Sequence, residues 1–435
     1  MIARGVKQIA WCAREKIKGG RLMSSGTRLK SAHGKIAFML DADAPANIEE
    51  NAATAAQPRA SAAPARRWRP FRILQYPIAI GLCSTLITFA FGFCAYLVIE
   101  NAMPPEGWLG IWNRWDSIHY LDVAQNGYAG DDGGEQRFMI VFLPLYPSVI
   151  YLAHYLIPDW QAAAMVVSNI CCAGAFCYCY LLTQKESGRR AARVAVFYFS
   201  IFPTAYFLHI AYSESLFLFL TIAAFYYARQ GRWLPCALLG MLATASRLSG
   251  LAIMLPLAFE YFQQKNFRWR QIRWDSLLLG LIPLGLLAYL YLNYHYFGDP
   301  FKFLEFQREH WYRSLSSPVP ELQWEWEGLT ADDPIERVMQ HGSQLVAFVI
   351  GTVGLVVAAF RLRPCYTLYL AMSWVLIFCD SFTLCSPRYL LTLFPLFILL
   401  GQWRRPIWGH YSVTTLCLLF YALNVTQFVR GWWAH

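Results

Sequence analysis

The sequence predicts an all-α protein that crosses a membrane about eleven times. Apolar residues make up 57% of the 435 positions and charged residues only 15%, whereas soluble domains carry about 25% charged residues. Several charge-free runs approach the roughly 20 residues that a helix needs to cross a bilayer. The basic residues cluster between these runs rather than on one face. Nucleic-acid binding is therefore not expected, despite the formal charge of +10.

The chain divides into a basic N-terminal segment and a long apolar region. Residues 1–72 contain fourteen Lys or Arg and an Ala- and Pro-rich stretch without hydrophobic periodicity, which predicts a disordered cytoplasmic tail. A secretory signal is the competing interpretation, but no apolar core occurs near the start. Residues 73–435 form the predicted transmembrane domain. Its two long loops, 100–161 and 299–341, are predicted to lie on the outer side.

The clusters of Lys and Arg orient the predicted spans, because such clusters favour the cytoplasmic side. The first span, Ile73–Ile99, leads out of the cytoplasm, and alternation then places the N-terminus inside and the C-terminus outside. The ten further predicted spans are Ala162–Thr183, Val194–Tyr212, Glu214–Ala228, Trp233–Ser246, Leu248–Phe259, Ser276–Gly298, Gly342–Phe360, Pro364–Cys379, Tyr389–Trp403 and Pro406–Val429.

One apolar segment, Phe138–Ala153, is not assigned as a span. If it crossed the membrane, the basic loop around Lys185 would lie outside, against the usual charge bias. The segment also contains Pro144 and Pro147, which interrupt helical hydrogen bonding. We expect a juxtamembrane or re-entrant element that packs against protein.

The segment Trp112–Tyr128 places an acidic residue at a predicted membrane surface. Asp116 stands among tryptophans that suit the headgroup level, with His119 and Tyr120 three and four positions further along the same helical face. A carboxylate there is a candidate general base. The alternative is an interfacial helix whose aspartate simply faces water.

Three further charged residues arrive at the predicted outer face. Glu214 follows Tyr212 between two apolar runs, and the alternative is a solvated helix start capped by Ser213. Arg247 interrupts an uncharged stretch and could bind phosphate, or could form an internal ion pair with Glu214. Arg388 is a similar lone cation after a proline, for which snorkelling to the interface is the alternative.

Ordered motifs in this chain resemble those of the PIG-V-like mannosyltransferases, relatives of the second mannosyltransferase of GPI-anchor synthesis in the GT-C superfamily. The resemblance covers residues 74–260 well and 340–400 weakly. The segments that carry it are WNRWDSIHYLDVAQNGY at Trp112–Tyr128, FLPLYP at Phe142–Pro147, FPTAYFLHIAYSESLFLFL at Phe202–Leu220, GMLATASRLSGL at Gly240–Leu251 and S-x-R-Y-x-x-x-x-F-P at Ser386–Pro395.

The resemblance implies a GT-C-like fold with juxtamembrane helices in the first outer loop. It also implies a polyprenyl- or dolichyl-phosphate mannose donor, inversion at the anomeric carbon and a catalytic carboxylate in that loop. Asp116 matches the catalytic position. The candidate substrate-binding residues are Arg247, Arg388, Glu214, His119, Tyr120, Tyr212 and Arg114.

Several properties stay open at this point. No Walker A or dinucleotide-binding motif occurs in a suitable context, so a nucleotide-dependent reaction is not expected. No cofactor is assigned, although a divalent metal near Asp116 and Glu214 is left open. The acceptor is a lipid or a glycan, and the membrane is a bacterial inner membrane with a periplasmic site or the endoplasmic reticulum. The rival function is a transporter or flippase of lipid-linked saccharides, against which no internal repeat is visible and the ionisable candidates gather at one face.

Overall fold

The described part of the chain is built of helices joined by turns and short loops. The computed structural model describes residues 69–128, 137–403 and 406–434. The predicted tail lies almost wholly outside these residues, although the first helix already begins at Arg69, four positions before the predicted span. In the described ranges, β-type pairing is limited to an isolated bridge between Leu315 and Asp380.

The α-helical stretches vary in length from 4 to 41 residues, and the longest, Trp160–Ser200, consists of two helices joined across a kink at Gly188. They are Arg69–Glu100, Gly107–Gly110, Asp116–Asn126, Leu145–His154, Trp160–Ser200, Glu214–Ala228, Trp233–Ser246, Met254–Gln264, Leu284–Phe297, Lys302–Trp311, Pro318–Glu327, Ser343–Arg361, Pro364–Phe378, Ser386–Leu390, Pro395–Gln402 and Ile407–Val429. Six 3-10 segments and one π-helical segment, Glu336–Gly342, connect or extend them within the described residues.

Membrane-spanning helices are present, as the composition predicts. By length and composition, five of the described helical stretches can cross a bilayer: Ile73–Glu100, Trp160–Ser200, Trp274–Phe297, Glu336–Arg361 and Ile407–Val429. Three shorter apolar helices accompany them, and two have the predicted bounds, Glu214–Ala228 and Trp233–Ser246. The chain is thus a helical multi-pass membrane protein, while the count of eleven spans stays a prediction.

Prolines break three predicted spans as continuous α-helices. The predicted span Ser276–Gly298 starts within the 3-10 segment Trp274–Leu281, and its α-helix begins only at Leu284, after Pro283. The other two breaks lie near the candidate site. The predicted helix Val194–Tyr212 ends at Ser200, because the ring of Pro203 excludes the helical position of a carbonyl four residues earlier. The predicted helix Tyr389–Trp403 is interrupted after Leu390, and a new helix begins at Pro395 for the same reason. Both interruptions leave irregular backbone next to the candidate site.

The segment Phe138–Ala153 forms two short elements rather than a span. A 3-10 turn at Arg137–Val141 is followed by the helix Leu145–His154, whose ten residues extend about 15 Å. The hydrocarbon core is about 30 Å thick, so this helix does not cross it. Tyr146 is fully buried and its hydroxyl is 2.7 Å from Ser168 Oγ on the long helix, so the segment packs against protein as expected.

The two helices that flank Arg247 form a hairpin. The ring of Trp233, at the start of one helix, lies 4.9 Å from the ring of Tyr261, near the end of the other. Arg247 is at the turn with extended backbone angles. The predicted second arm, Leu248–Phe259, is wrong in one detail, since it begins as the 3-10 segment Leu248–Ile253 before the α-helix at Met254.

Candidate functional site

Four charged residues that are far apart in the sequence form one cluster. Two of them begin helices, one is at the turn of the hairpin, and one is in the short helix Ser386–Leu390. Arg388 Nη1 lies 2.7 Å from Asp116 Oδ2, and Arg388 Nε lies 3.2 Å from Glu214 Oε1. Arg247 Nη1 lies 2.8 Å from the same Glu214 oxygen. We call these four residues the acid–arginine cluster. Its two acids and two arginines balance in charge, as buried ionised groups must.

Asp116 is the most accessible member of the acid–arginine cluster. It is the first residue of the helix Asp116–Asn126, where the helix dipole stabilises a carboxylate. The preceding Trp115 has a φ of 55°, which is strained for a bulky side chain, and its ring packs edge-on against Trp433 at 4.6 Å. The side chain of Asp116 is 27% exposed, so its carboxylate is accessible from solvent.

Glu214 is fully buried and begins the helix Glu214–Ala228. Both arginines of the cluster approach one of its oxygens, but no described donor has hydrogen-bond geometry toward either carboxylate oxygen. The carboxylate is therefore held by charge and retains acceptor capacity for a hydroxyl. The prediction that Ser213 caps this helix is wrong for its side chain: Ser213 stands at the N-cap position, but its hydroxyl makes no capping hydrogen bond.

Ser213 instead connects two of the predicted site residues. Its Oγ accepts a hydrogen bond from Arg247 Nη1 at 2.9 Å and lies 2.7 Å from the Tyr120 hydroxyl. Burial raises the pKa of Tyr120 well above its usual value, so this hydroxyl stays protonated. The internal ion pair considered for Arg247 is thus present, and it forms part of a larger polar network.

Arg388 is buried rather than snorkelling, so the alternative interpretation of this residue is wrong. Its side chain is only 8% exposed and its guanidinium carbon lies 5.3 Å from the ring centroids of both Phe207 and Tyr212. Tyr212 donates a hydrogen bond to the backbone carbonyl of Arg114 at 3.0 Å, which fixes its ring beneath the cation. Cation–π contact and two carboxylates together stabilise this buried charge.

Two predicted residues stand at the margin of the cluster. The ring of His119 packs near Phe142 at 5.3 Å, and burial lowers its pKa against the opposing effect of Asp116. The Arg114 guanidinium turns toward Glu106 at 3.6 Å, and only its backbone carbonyl reaches the site. The guanidinium of Arg114 is therefore not part of the acid–arginine cluster.

Three residues that were not among the predicted site residues complete this site: Tyr389, which belongs to the S-x-R-Y motif, and Arg313 and Asp380, which no motif indicated. The ring of Tyr389 has the guanidinium carbons of Arg247, Arg313 and Arg388 at 5.5, 5.4 and 5.2 Å from its centroid. Arg313 also pairs with Asp380, 67 positions away, with Nε at 2.7 Å from Oδ2. Such pairing arises from the tertiary fold, and Arg313 is one of many charges in its loop.

For the divalent metal left open near Asp116 and Glu214, the described part of the chain offers no set of donor side chains. No group of three or more His, Cys, Asp or Glu side chains suited to a metal ion occurs among the residues described. Instead, the guanidinium of Arg388 lies beside the Asp116 carboxylate, and that of Arg247 lies beside the Glu214 carboxylate.

A second charged cluster lies at the other end of the helix Glu214–Ala228, about 22 Å away by helix length. Arg229 Nε is 2.6 Å from Glu186 Oε1, and Arg229 Nη1 is 2.8 Å from Glu260 Oε1. Ionisable residues thus occur at both ends of the helices, whereas the candidates Asp116, Glu214, Arg247 and Arg388 meet in the acid–arginine cluster. This second cluster joins the helix ends near the basic residues that were predicted to face the cytoplasm.

The fold and the site together define a helical multi-pass membrane protein with a buried acid–arginine cluster. The chain is 32% identical over 157 residues to GPI alpha-1,6-mannosyltransferase 2 of Cricetulus griseus, which is 34% of this chain and 31% of that protein. It is 29% identical over 147 residues to GPI mannosyltransferase 2 of Schizosaccharomyces pombe, or 32% and 30% of the two chains. The match spans about a third of each relative, and it confirms the resemblance seen in the motifs. No model of a protein family matches the chain.

Solved structures with a similar helical arrangement are distant in sequence. ArnT from Cupriavidus metallidurans, bound to undecaprenyl phosphate, is 14% identical with a TM-score of 0.48, covering 77% of this chain and 62% of that one. The oligosaccharyltransferase of Archaeoglobus fulgidus, tethered with an acceptor peptide, is 11% identical with a TM-score of 0.42, covering 82% and 55%.

Proposed function

We propose that this protein is an inverting glycosyltransferase of the membrane. It would move mannose from a polyprenyl- or dolichyl-phosphate donor to a hydroxyl group of a lipid or glycan acceptor at the outer face. The observation that carries the proposal is the acid–arginine cluster, in which the accessible carboxylate of Asp116 contacts Arg388, and the buried Glu214 links Arg388 to Arg247. The named relatives are mannosyltransferases, which supports the same reaction class.

The proposed chemistry assigns a distinct role to each charge type. The acceptor hydroxyl attacks the anomeric carbon while its proton passes to Asp116, a general base within reach of solvent. The bond between that carbon and the phosphate oxygen breaks, and its electron pair leaves with the phosphate. Arg247 and Arg388 stabilise this growing charge, since planar guanidiniums bind phosphate oxygens bidentately.

The remaining predicted residues would bind the sugar or the acceptor. Glu214 can accept hydrogen bonds from hydroxyl groups. The Tyr120 hydroxyl contacts Ser213 Oγ, and Ser213 directly precedes Glu214 in the chain. His119 lies beside Phe142 and Trp311, whose apolar ring surfaces suit the CH-rich face of a sugar. Tyr212 would act through Arg388, whose guanidinium it supports.

Sugar transfer in detergent tests this function. Purified protein is incubated with radiolabelled polyprenyl-phosphate mannose and a lipid extract of its source membranes, and release of polyprenyl phosphate is measured together with labelled product. The proposal predicts transfer without any sealed compartment. A transporter or flippase would give no chemical conversion in detergent, yet would translocate the labelled lipid in sealed vesicles.

A further inference from the structure

Three guanidiniums surround one tyrosine ring at the edge of the acid–arginine cluster. Those of Arg247 and Arg388 belong to the proposed donor site, whereas Arg313 comes from the second long loop. Positive charges at such close range repel one another unless anions lie among them. Asp116, Glu214 and Asp380 balance them one for one in the structure. A phosphate entering beside Tyr389 would therefore meet cations from three separate parts of the chain.

Hydrogen bonds between residues 312–316 and 379–381 hold the backbone around Arg313 in place, and we call this set of bonds the strap. Tyr312 ends the helix Lys302–Trp311 in a left-handed conformation, and its carbonyl accepts from Ser381 Oγ at 2.9 Å. The Ser381 backbone N–H donates to the Ser314 carbonyl at 2.9 Å, and the Ser316 N–H donates to the Cys379 carbonyl at 3.0 Å. Because the backbone on both sides of Arg313 is fixed, its guanidinium loses little conformational freedom when it binds an anion.

The guanidinium of Arg313 keeps donors free for a ligand. Its Nε and Nη2 both donate to Asp380 Oδ2, and its Nη1 donates to the Tyr389 hydroxyl at 3.0 Å. A guanidinium has five N–H groups, so these contacts leave two without a partner in the described part of the chain. The side chain is 27% exposed, so part of it is open to an entering ligand.

We propose that Arg313 is a third ligand of the donor's phosphate and that it favours the departing phosphate over the intact donor. This inference rests on the proposed function. A polyprenyl-phosphate sugar is a phosphodiester with one negative charge, whereas the released phosphomonoester carries about −1.5 to −2 at pH 7. An additional guanidinium therefore stabilises the transition state and product more than the donor, which assists bond cleavage.

Binding of lipid phosphate to the purified full-length protein tests the inference. The probes are polyprenyl phosphate, uncharged polyprenol and inorganic phosphate, measured in the same detergent. We expect wild-type protein to prefer polyprenyl phosphate over both others, and Arg313→Gln to weaken that affinity about tenfold or more. Turnover of the mannosyl donor should fall by a similar factor, with a smaller change in KM.

Two matched variants separate a ligand role from a structural one. Arg308→Gln removes the same charge from an exposed position in the same loop, within the helix that precedes Arg313, and should leave affinity and turnover unchanged. Asp380→Asn removes the carboxylate partner of Arg313 but leaves the cation. A phosphate ligand predicts retained or tighter binding in Asp380→Asn, whereas a purely structural ion pair predicts the same loss as Arg313→Gln.

The possible results are separable. Wild-type protein that binds polyprenyl phosphate no better than polyprenol, or no better than inorganic phosphate, would overturn both the donor site and this inference. A clear lipid-phosphate preference that Arg313→Gln leaves intact would overturn the inference alone. If Arg313→Gln does not fold, Arg313→Lys keeps a charge at the strap and should give a smaller, measurable loss; unchanged affinity there would contradict a bidentate ligand.

Discussion

Replacing Asp116 by asparagine removes the proposed base while keeping its shape. The amide oxygen can still accept from Arg388, and Glu214 remains 3.2 Å from Arg388 Nε, so the buried cation keeps one carboxylate. A hydrogen bond to a charged group contributes about 1.5–3 kcal/mol. The folding loss should lie at or below the lower end, about 1.5 kcal/mol, because an acceptor remains and the Asp116 side chain is 27% exposed.

The catalytic loss should be larger than this folding loss. General bases contribute about 10² to 10⁴ in rate, which corresponds to roughly 3–5 kcal/mol of activation free energy. Release of polyprenyl phosphate from labelled donor, in the presence of source-membrane lipids, measures turnover, and thermal unfolding measures stability. Asp122→Asn is the matched control, since Asp122 lies in the same helix and hydrogen-bonds only Asn126 among described side chains, at 2.8 Å. Near-normal turnover in Asp116→Asn would refute the assignment of the base.

Three other predictions follow from the same structure. Arg247→Lys should weaken donor binding and Arg247→Ala should weaken it further, because lysine lacks the planar fork; equal affinity of both variants and wild type in a donor-binding assay would make this residue structural. Burial raises the pKa of Glu325 from 4.5 to about 8, so the folded state binds the proton more tightly. The thermal stability of wild type relative to Glu325→Gln should therefore fall as pH rises from about 5 to 8, whereas His341, whose pKa burial lowers, contributes in the opposite direction in both proteins; a stability difference that does not change with pH would contradict this. Reporter fusions after positions 187 and 266 should lie in the cytoplasm and one after position 320 outside, whereas an outside signal at 187 would mean that Phe138–Ala153 spans the membrane.

Local sequence signals predicted the elements that position the site. The bounds of Glu214–Ala228 and Trp233–Ser246 follow from uncharged runs that end at charged residues. The position of Arg247 at a hairpin tip follows from segment length and charge bias, and the ring contact between Trp233 and Tyr261 agrees with it. Periodicity was less informative where prolines divide apolar segments, as at Pro203 and Pro395.

The contacts within the site could not be predicted from the sequence. Asp116 and Arg388 are 272 positions apart, and nothing local to either residue specifies that they pair. The strap that holds Arg313 likewise joins two segments 67 positions apart. Candidate residue types at a membrane boundary can be identified one by one, but which guanidinium faces which carboxylate depends on how the helices pack.

The stereochemistry of the transferred sugar tests the central claim most directly. Direct attack by an acceptor hydroxyl, with Asp116 as base and no covalent enzyme intermediate, inverts the anomeric centre. NMR of the labelled product, made with a donor of defined configuration, should therefore show the opposite anomer. Retention of the donor configuration would contradict the account, because a single displacement from the face opposite the phosphate cannot give it.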